Sequence, residues 1–92
     1  MPRTIPNSAK RRTNVLALLP GSSSGHELLI TPHLDTVPAG KSWKVPPFAG
    51  LIKAGKLYGL GATDCKSNLA CSLEVLQSLV EDGHILNYNL LF

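Results

Sequence analysis

Proline placement is the tightest constraint on this chain. Four of its seven prolines (Pro32, Pro38, Pro46 and Pro47) fall between residues 32 and 50. Each lacks an amide hydrogen, and its ring clashes with a preceding helical turn. Neither a helix nor a central strand can run through such a stretch. Long irregular segments inside a compact domain are functional or disordered. Trp43 and Phe48 supply apolar anchors, which predicts an ordered loop; the two rings are expected to pack that loop, with lining a substrate pocket as the alternative.

Regular structure therefore has to come from the flanks. Asn14 to Leu19 is apolar enough for a strand, Pro20 and Gly21 end it, and residues 22–25 (Ser-Ser-Ser-Gly) signal a turn. Glu27 to Thr31 reads as a second strand, and the two are expected to form a hairpin. Leu51-Ile52 and Leu57-Tyr58 flank Gly55 and predict another hairpin. Leu69, Leu73, Leu76 and Val80 share one helical face, widened by Ala70 and Leu79. Ser67 is the expected N-cap of that helix and Gly83 its stop. Tyr88 to Phe92 begins a final strand. Strands and a helix on one sheet give an α/β class. Residues 1–12 read as a loose basic start, and residues 13–92 as the folded part.

Charge excludes one function class. The net charge is +3, but Arg3, Lys10, Arg11 and Arg12 all precede the first acid. Beyond them five lysines face six acids, a balance of −1. Basicity belongs to the start and not to the body, and no aromatic residues interleave with it, which argues against a nucleic-acid partner. The longest apolar run, Val15 to Leu19, is far too short to span a membrane. It is also too short for a secretion signal, and Pro2 and Pro6 oppose the amphipathic helix of a transit peptide. Cys65 and Cys71 form neither a disulfide framework nor a CxxC motif, as expected of reduced thiols in a cytoplasmic protein.

Two places carry chemistry. In His33-Leu34-Asp35 a carboxylate two positions after an imidazole can hold one ring nitrogen while the other binds a metal. Asp64 follows Gly59-Leu60-Gly61-Ala62-Thr63 and precedes the helix, at the kind of strand-to-helix junction where α/β sheets gather ligands. Taken singly, the first is an ordinary loop triplet and the second a carboxylate favoured by a helix dipole. Glu81-Asp82 and His84 read as a solvated helix end, His26 as an exposed turn residue, and Lys66 as a structural or surface residue. Gly59-x-Gly61 lacks the third glycine of a dinucleotide fingerprint.

Taken together, the order His33-Leu34-Asp35-Thr36-Val37-Pro38, Trp43, Pro47-Phe48, then Gly55 to Lys66 closely resembles one family. It is that of the zinc peptidases and deacylases which include acetylornithine deacetylase, succinyl-diaminopimelate desuccinylase, aminoacylase and carboxypeptidase G. The resemblance covers residues 13–92. It implies a phosphorylase/hydrolase-like dizinc exopeptidase fold, of which this chain would be a truncated, partial mixed-sheet catalytic domain. It further implies that His33 ligates one metal, that Asp64 bridges two, and that Asp35 is the catalytic-site carboxylate orienting His33. The peptide after Asp64 is often cis in this family. The implied cofactors are two divalent ions, zinc by preference, with cobalt or manganese also suited to such ligands. The implied reaction is hydrolysis of an amide bond in a small N-acyl amino acid or short peptide by hydroxide held on the metal, and the implied full-length protein is a homodimer. The family's Glu base and further ligands are expected after residue 92, so the chain alone should be inactive. The alternative is a non-catalytic remnant that serves as a binding piece. Three positions depart from the pattern: Pro32 where a small residue is usual, Cys65 where Met is more frequent, and Ser67 where Gly is common.

Overall fold

The computed structural model describes residues 3–7, 12–23 and 25–92. Two compact units divide the chain, Met1–Thr31 with Leu76–Phe92, and Pro32–Val75. In the first, strands β1 (Arg3–Asn7) and β2 (Arg12–Leu16) pair antiparallel, with Pro6 opposite Thr13. Arg3–Asn7 is thus a strand where composition led us to expect loose chain. Its pairing needs only backbone groups, and its one proline sits on a strand with a single neighbour among the described residues, the edge position that tolerates proline. The rest of the expected loose start, residues 1, 2 and 8–11, lies outside the described residues.

A second sheet in this unit has the order β3-β7-β4, built from β3 (Leu18–Leu19), β4 (Glu27–Leu29) and β7 (Asn89–Leu91). The hairpin expected from residues 14–19 and 27–31 does not form. Instead β7 enters between the two strands, antiparallel to β3 and parallel to β4. The physical reason lies in the backbone. Phe92 exchanges two hydrogen bonds with Ala17 at 2.7 and 2.8 Å, while the amides of Ile30 and Asn89 reach Leu91 and His26 oxygens across the other edge. The Asn89 side chain works on both sides, accepting from the Gly21 amide at 3.0 Å and donating to Glu27 at 3.4 Å. Gly21 is needed for this approach, since a Cβ there would fall on the Tyr88 carbonyl. Leu90, at 3% exposure, is the one buried hydrophobic residue among those described.

In the second unit, β5 (Leu51–Lys53) and β6 (Lys56–Tyr58) form the expected antiparallel hairpin. Both turn residues have positive φ, +50° at Ala54 and +72° at Gly55, the signature of a type I′ turn matched to strand twist. Residues 32–50 carry no strand or helix, in keeping with their prolines. Phe48, however, is 80% exposed and does not pack the loop as expected, because the neighbouring backbone does that work. The Leu60 amide donates to the Pro47 carbonyl at 2.8 Å, and the Ala49 amide to Pro46.

Among the described residues the α-helix α1 (Ser67–Glu81) forms where the apolar repeat predicts it, with Leu69, Leu76 and Leu79 half-buried but Leu73 and Val80 exposed. Ser67 is not its N-cap. Its backbone is already helical, and its hydroxyl donates back to the Thr63 carbonyl at 3.0 Å. At the other end Gly83 adopts φ +67°, with His84 donating to Leu79 and Gly83 to Val80, a Schellman stop that places His84 at the helix terminus. The architecture is therefore mixed α/β with a partial mixed sheet. Among the described residues, no helix is long and apolar enough to cross a membrane.

Leu90→Ala should cost about 2–4 kcal/mol, as for other buried leucine truncations. Urea unfolding followed by circular dichroism checks this; a loss below about 1 kcal/mol would show that β7 is not the core strand.

Candidate metal centre

The site belongs wholly to the second unit and begins with backbone shape. Gly61 has φ +75°, the left-handed region where a side chain is strained, and a Cβ there would run into the Thr36 methyl. Only glycine lets the segment after β6 lie so close to the loop that carries His33. From Gly61 the chain makes a tight, non-helical bend, with the Asp64–Cys65 peptide cis and the Lys66 amide returning to the Gly61 carbonyl at 3.0 Å. The Lys66 ammonium then crosses to the His33 loop and donates to the Leu34 carbonyl at 2.8 Å. Lys66, for which the sequence offered a structural or a surface role, is the clasp between the two motifs.

That clasp brings together His33 and Asp64, 31 residues apart, with Nε2 and Oδ1 separated by 3.0 Å. On the other side of the ring, Nδ1 donates to the Asp35 carbonyl oxygen at 3.1 Å and also lies 3.2 Å from Asp35 Oδ1. The ring is half exposed, whereas both carboxylates are largely open to solvent. A carbonyl can only accept, so Nδ1 carries a hydrogen. A neutral ring then presents a bare Nε2 lone pair to the Asp64 carboxylate, two acceptors at contact distance. Something positive has to lie between them: a proton or a metal ion.

The proton explains the titration of His33. Its pKa is raised above the ordinary value of about 6.5, chiefly by the hydrogen bond to the Asp35 carbonyl; desolvation opposes the rise, and the Asp64 hydrogen bond and the two carboxylate charges add to it. A metal ion fits the same place. Asp64 and Cys65 bring an oxygen and a sulfur to His33 Nε2, and the three ligand atoms all lie within 4.8 Å of one another. Cys65 is half-buried beside the two exposed ligands. The sequence marked it as a departure without giving it a role; a thiol next to Asp64 was the available signal.

Beside this cluster lies a cavity of about 560 Å³ lined by Asp35, Lys66, Leu34, Phe48, Leu57 and Leu60 among others. Its walls are mostly apolar with one charge of each sign, Asp35 and Lys66, the usual composition of a small-molecule pocket. Phe48 lines it in place of packing the loop. Trp43 borders a separate, smaller cavity with Tyr58 and Val45.

Comparison with known families settles the broad class. Residues 29–92 match the profile of peptidase family M20/M25/M40. This chain belongs to that family. The match runs from the end of β4 through the His33 loop, the Asp64 bend and α1 to β7, so it includes every residue just described as part of the cluster. Membership makes the protein a metal-dependent peptidase or hydrolase by class, and His33, Asp64 and Cys65 are a donor group with which such a metal is chemically compatible.

Two measurements check the geometry. In the metal-free chain, His33 followed by NMR should titrate above about pH 6.5, and Asp64→Asn should lower its midpoint. Because the folded pKa is raised, this contact contributes stability that is complete below the unfolded value and is lost as pH rises through the folded one. Metal uptake runs the opposite way, weakening as pH falls through that midpoint because proton and metal compete for Nε2. Gly61→Ala, which meets both a clash and a left-handed backbone, should destabilise the chain by about 1–3 kcal/mol; an unchanged Tm would rule out the close approach to Thr36.

Proposed function

We propose that this chain supplies metal-ligating residues to a hydrolase that cleaves an amide (C–N, non-ester) bond in a small N-acyl amino acid or short peptide. The observation that carries the reading is the 3.0 Å approach of His33 Nε2 to Asp64 Oδ1, a pair that holds either a proton or a metal ion, in a chain whose family is metal-dependent. His33 would ligate one divalent ion, and Asp64, with two carboxylate oxygens, would bridge a pair about 3.5–4 Å apart. The ions would be zinc by preference, and when bound they supply an acidified water and a polarised substrate carbonyl. Asp35 acts through His33. By taking the Nδ1 hydrogen on its carbonyl and standing its carboxylate beside the same nitrogen, it fixes the tautomer that leaves Nε2 free. Lys66 holds the His33 loop against the Asp64 bend, and the adjoining apolar cavity offers room for an acyl or amino-acid side chain.

Two ions that share one bridge need more protein donors than the three gathered around His33 among the described residues. The 92-residue chain is accordingly proposed to hold part of a site and to be inactive by itself. A cytoplasmic setting suits its two free thiols, both reduced in the structure.

Metal analysis after gel filtration tests the first step: about one zinc per chain is expected at most, abolished in His33→Ala and Asp64→Ala. Two tightly held ions per chain would overturn the partial-site reading. Deacylation tests the second. The zinc-loaded chain should show no hydrolysis of N-acyl amino acids above buffer, while the product of the complete reading frame should hydrolyse them and lose at least about a hundredfold in kcat/KM on either substitution.

A further inference from the structure

We propose that the Cys65 thiolate is itself a metal ligand, so that His33, Asp64 and Cys65 form a mixed nitrogen, oxygen and sulfur site that selects a soft, tetrahedral cation such as zinc over manganese. The proposal rests on the metal-site reading above and goes beyond it, since neither the resemblance nor the family match gives this position a ligand.

Three observations carry it. First, the thiol is adjacent to Asp64 in the bend and meets the His33 and Asp64 donor atoms within a 4.8 Å span. Zinc distances of about 2.0–2.1 Å to nitrogen and oxygen and about 2.3 Å to sulfur place tetrahedral donor pairs about 3.3–3.6 Å apart. The sulfur therefore needs to close by little more than about 1 Å, within the reach of a side-chain rotation. Second, the other two donors already stand at near-coordination separation, with the Asp35 carbonyl holding the ring so that Nε2 points at Asp64. A ligand group with two of its three donors aligned loses little freedom on closing around an ion. Third, Cys65 has no competing partner of its own kind: it is a free thiol, as is Cys71, which lies exposed on α1.

Chemistry then fixes the preference. Binding replaces the S–H bond by a metal–sulfur bond and releases one proton to solvent. Thiolate is a soft donor that favours zinc, cobalt or cadmium, whereas an imidazole and carboxylates alone suit manganese as well. A thioether at this position, as Met would provide, is uncharged and adds no anionic donor. The exchange of Met for Cys thus converts a permissive pair of ligands into a discriminating triad.

Cobalt titration of the 92-residue chain provides the test, because a thiolate on Co²⁺ gives an intense near-ultraviolet charge-transfer band and visible d–d bands report binding by any donors. The expected result is that the charge-transfer band grows with Co²⁺ and is displaced by Zn²⁺. It should survive Cys71→Ser and vanish in Cys65→Ser, with cobalt affinity weakened on the order of 10- to 100-fold. Visible bands without the charge-transfer band would overturn the thiolate ligand while leaving the His33–Asp64 site standing. A band that disappears in Cys71→Ser in place of Cys65→Ser would also overturn it. Failure of the wild-type chain to bind cobalt or zinc at all would remove both the proposal and the metal-site reading. Circular dichroism of Cys65→Ser confirms that any loss is not unfolding.

Discussion

One hydrogen bond, from the Lys66 ammonium to the Leu34 carbonyl, makes the candidate site a site. The His33 loop has no strand or helix of its own to hold it, because its prolines forbid both. It is kept in place from outside, by Lys66 at one end and by the Leu60 amide on the Pro47 carbonyl at the other. Gly61 is the complementary constraint, since the clasp can close only where a side chain is missing. A charged donor and an absent methyl together do what an extended ladder does elsewhere in a sheet.

Electrostatics follow from this closure. An imidazole with an oxygen at each nitrogen is a socket for positive charge, whether the occupant is a proton shared with Asp64 or a divalent ion. The rise in the His33 pKa and the fitness of the site for a metal are two readings of the same field. The exposure of Asp35 and Asp64 means that this field is screened by water, so its strength depends on how much more of a protein surrounds it.

Local signals were the legible ones. The helix could be read because its leucines repeat on one face, and its end because Gly83 takes a conformation few other residues tolerate. The β5–β6 hairpin was visible from Gly55, and the likeness of the His33 and Asp64 segments to a known family pointed to the pair that the structure brings into contact. What failed was non-local. Asn14–Leu19 and Glu27–Thr31 look like hairpin partners until β7, more than sixty residues later in the case of Glu27, takes the place between them. Ser67 resembles a cap only if one assumes the chain enters the helix from an ordinary loop; the bend at Asp64–Cys65 has already turned it. Phe48 had two readings, loop packing and pocket lining, and only the backbone hydrogen bonds that order the loop and the exposure of the ring decide for the second.

The position of β7 has a consequence for synthesis. Its register joins Leu18 to Leu91 and Glu27 to Asn89, so the three-stranded sheet is stitched by the latest-made segment of the described chain. Until that segment is made, β3 and β4 lack the strand with which both of them pair. Such long-range closure is slow and leaves bare strand edges in the interim. The nascent chain therefore keeps those strand edges open until its β7 segment has been made.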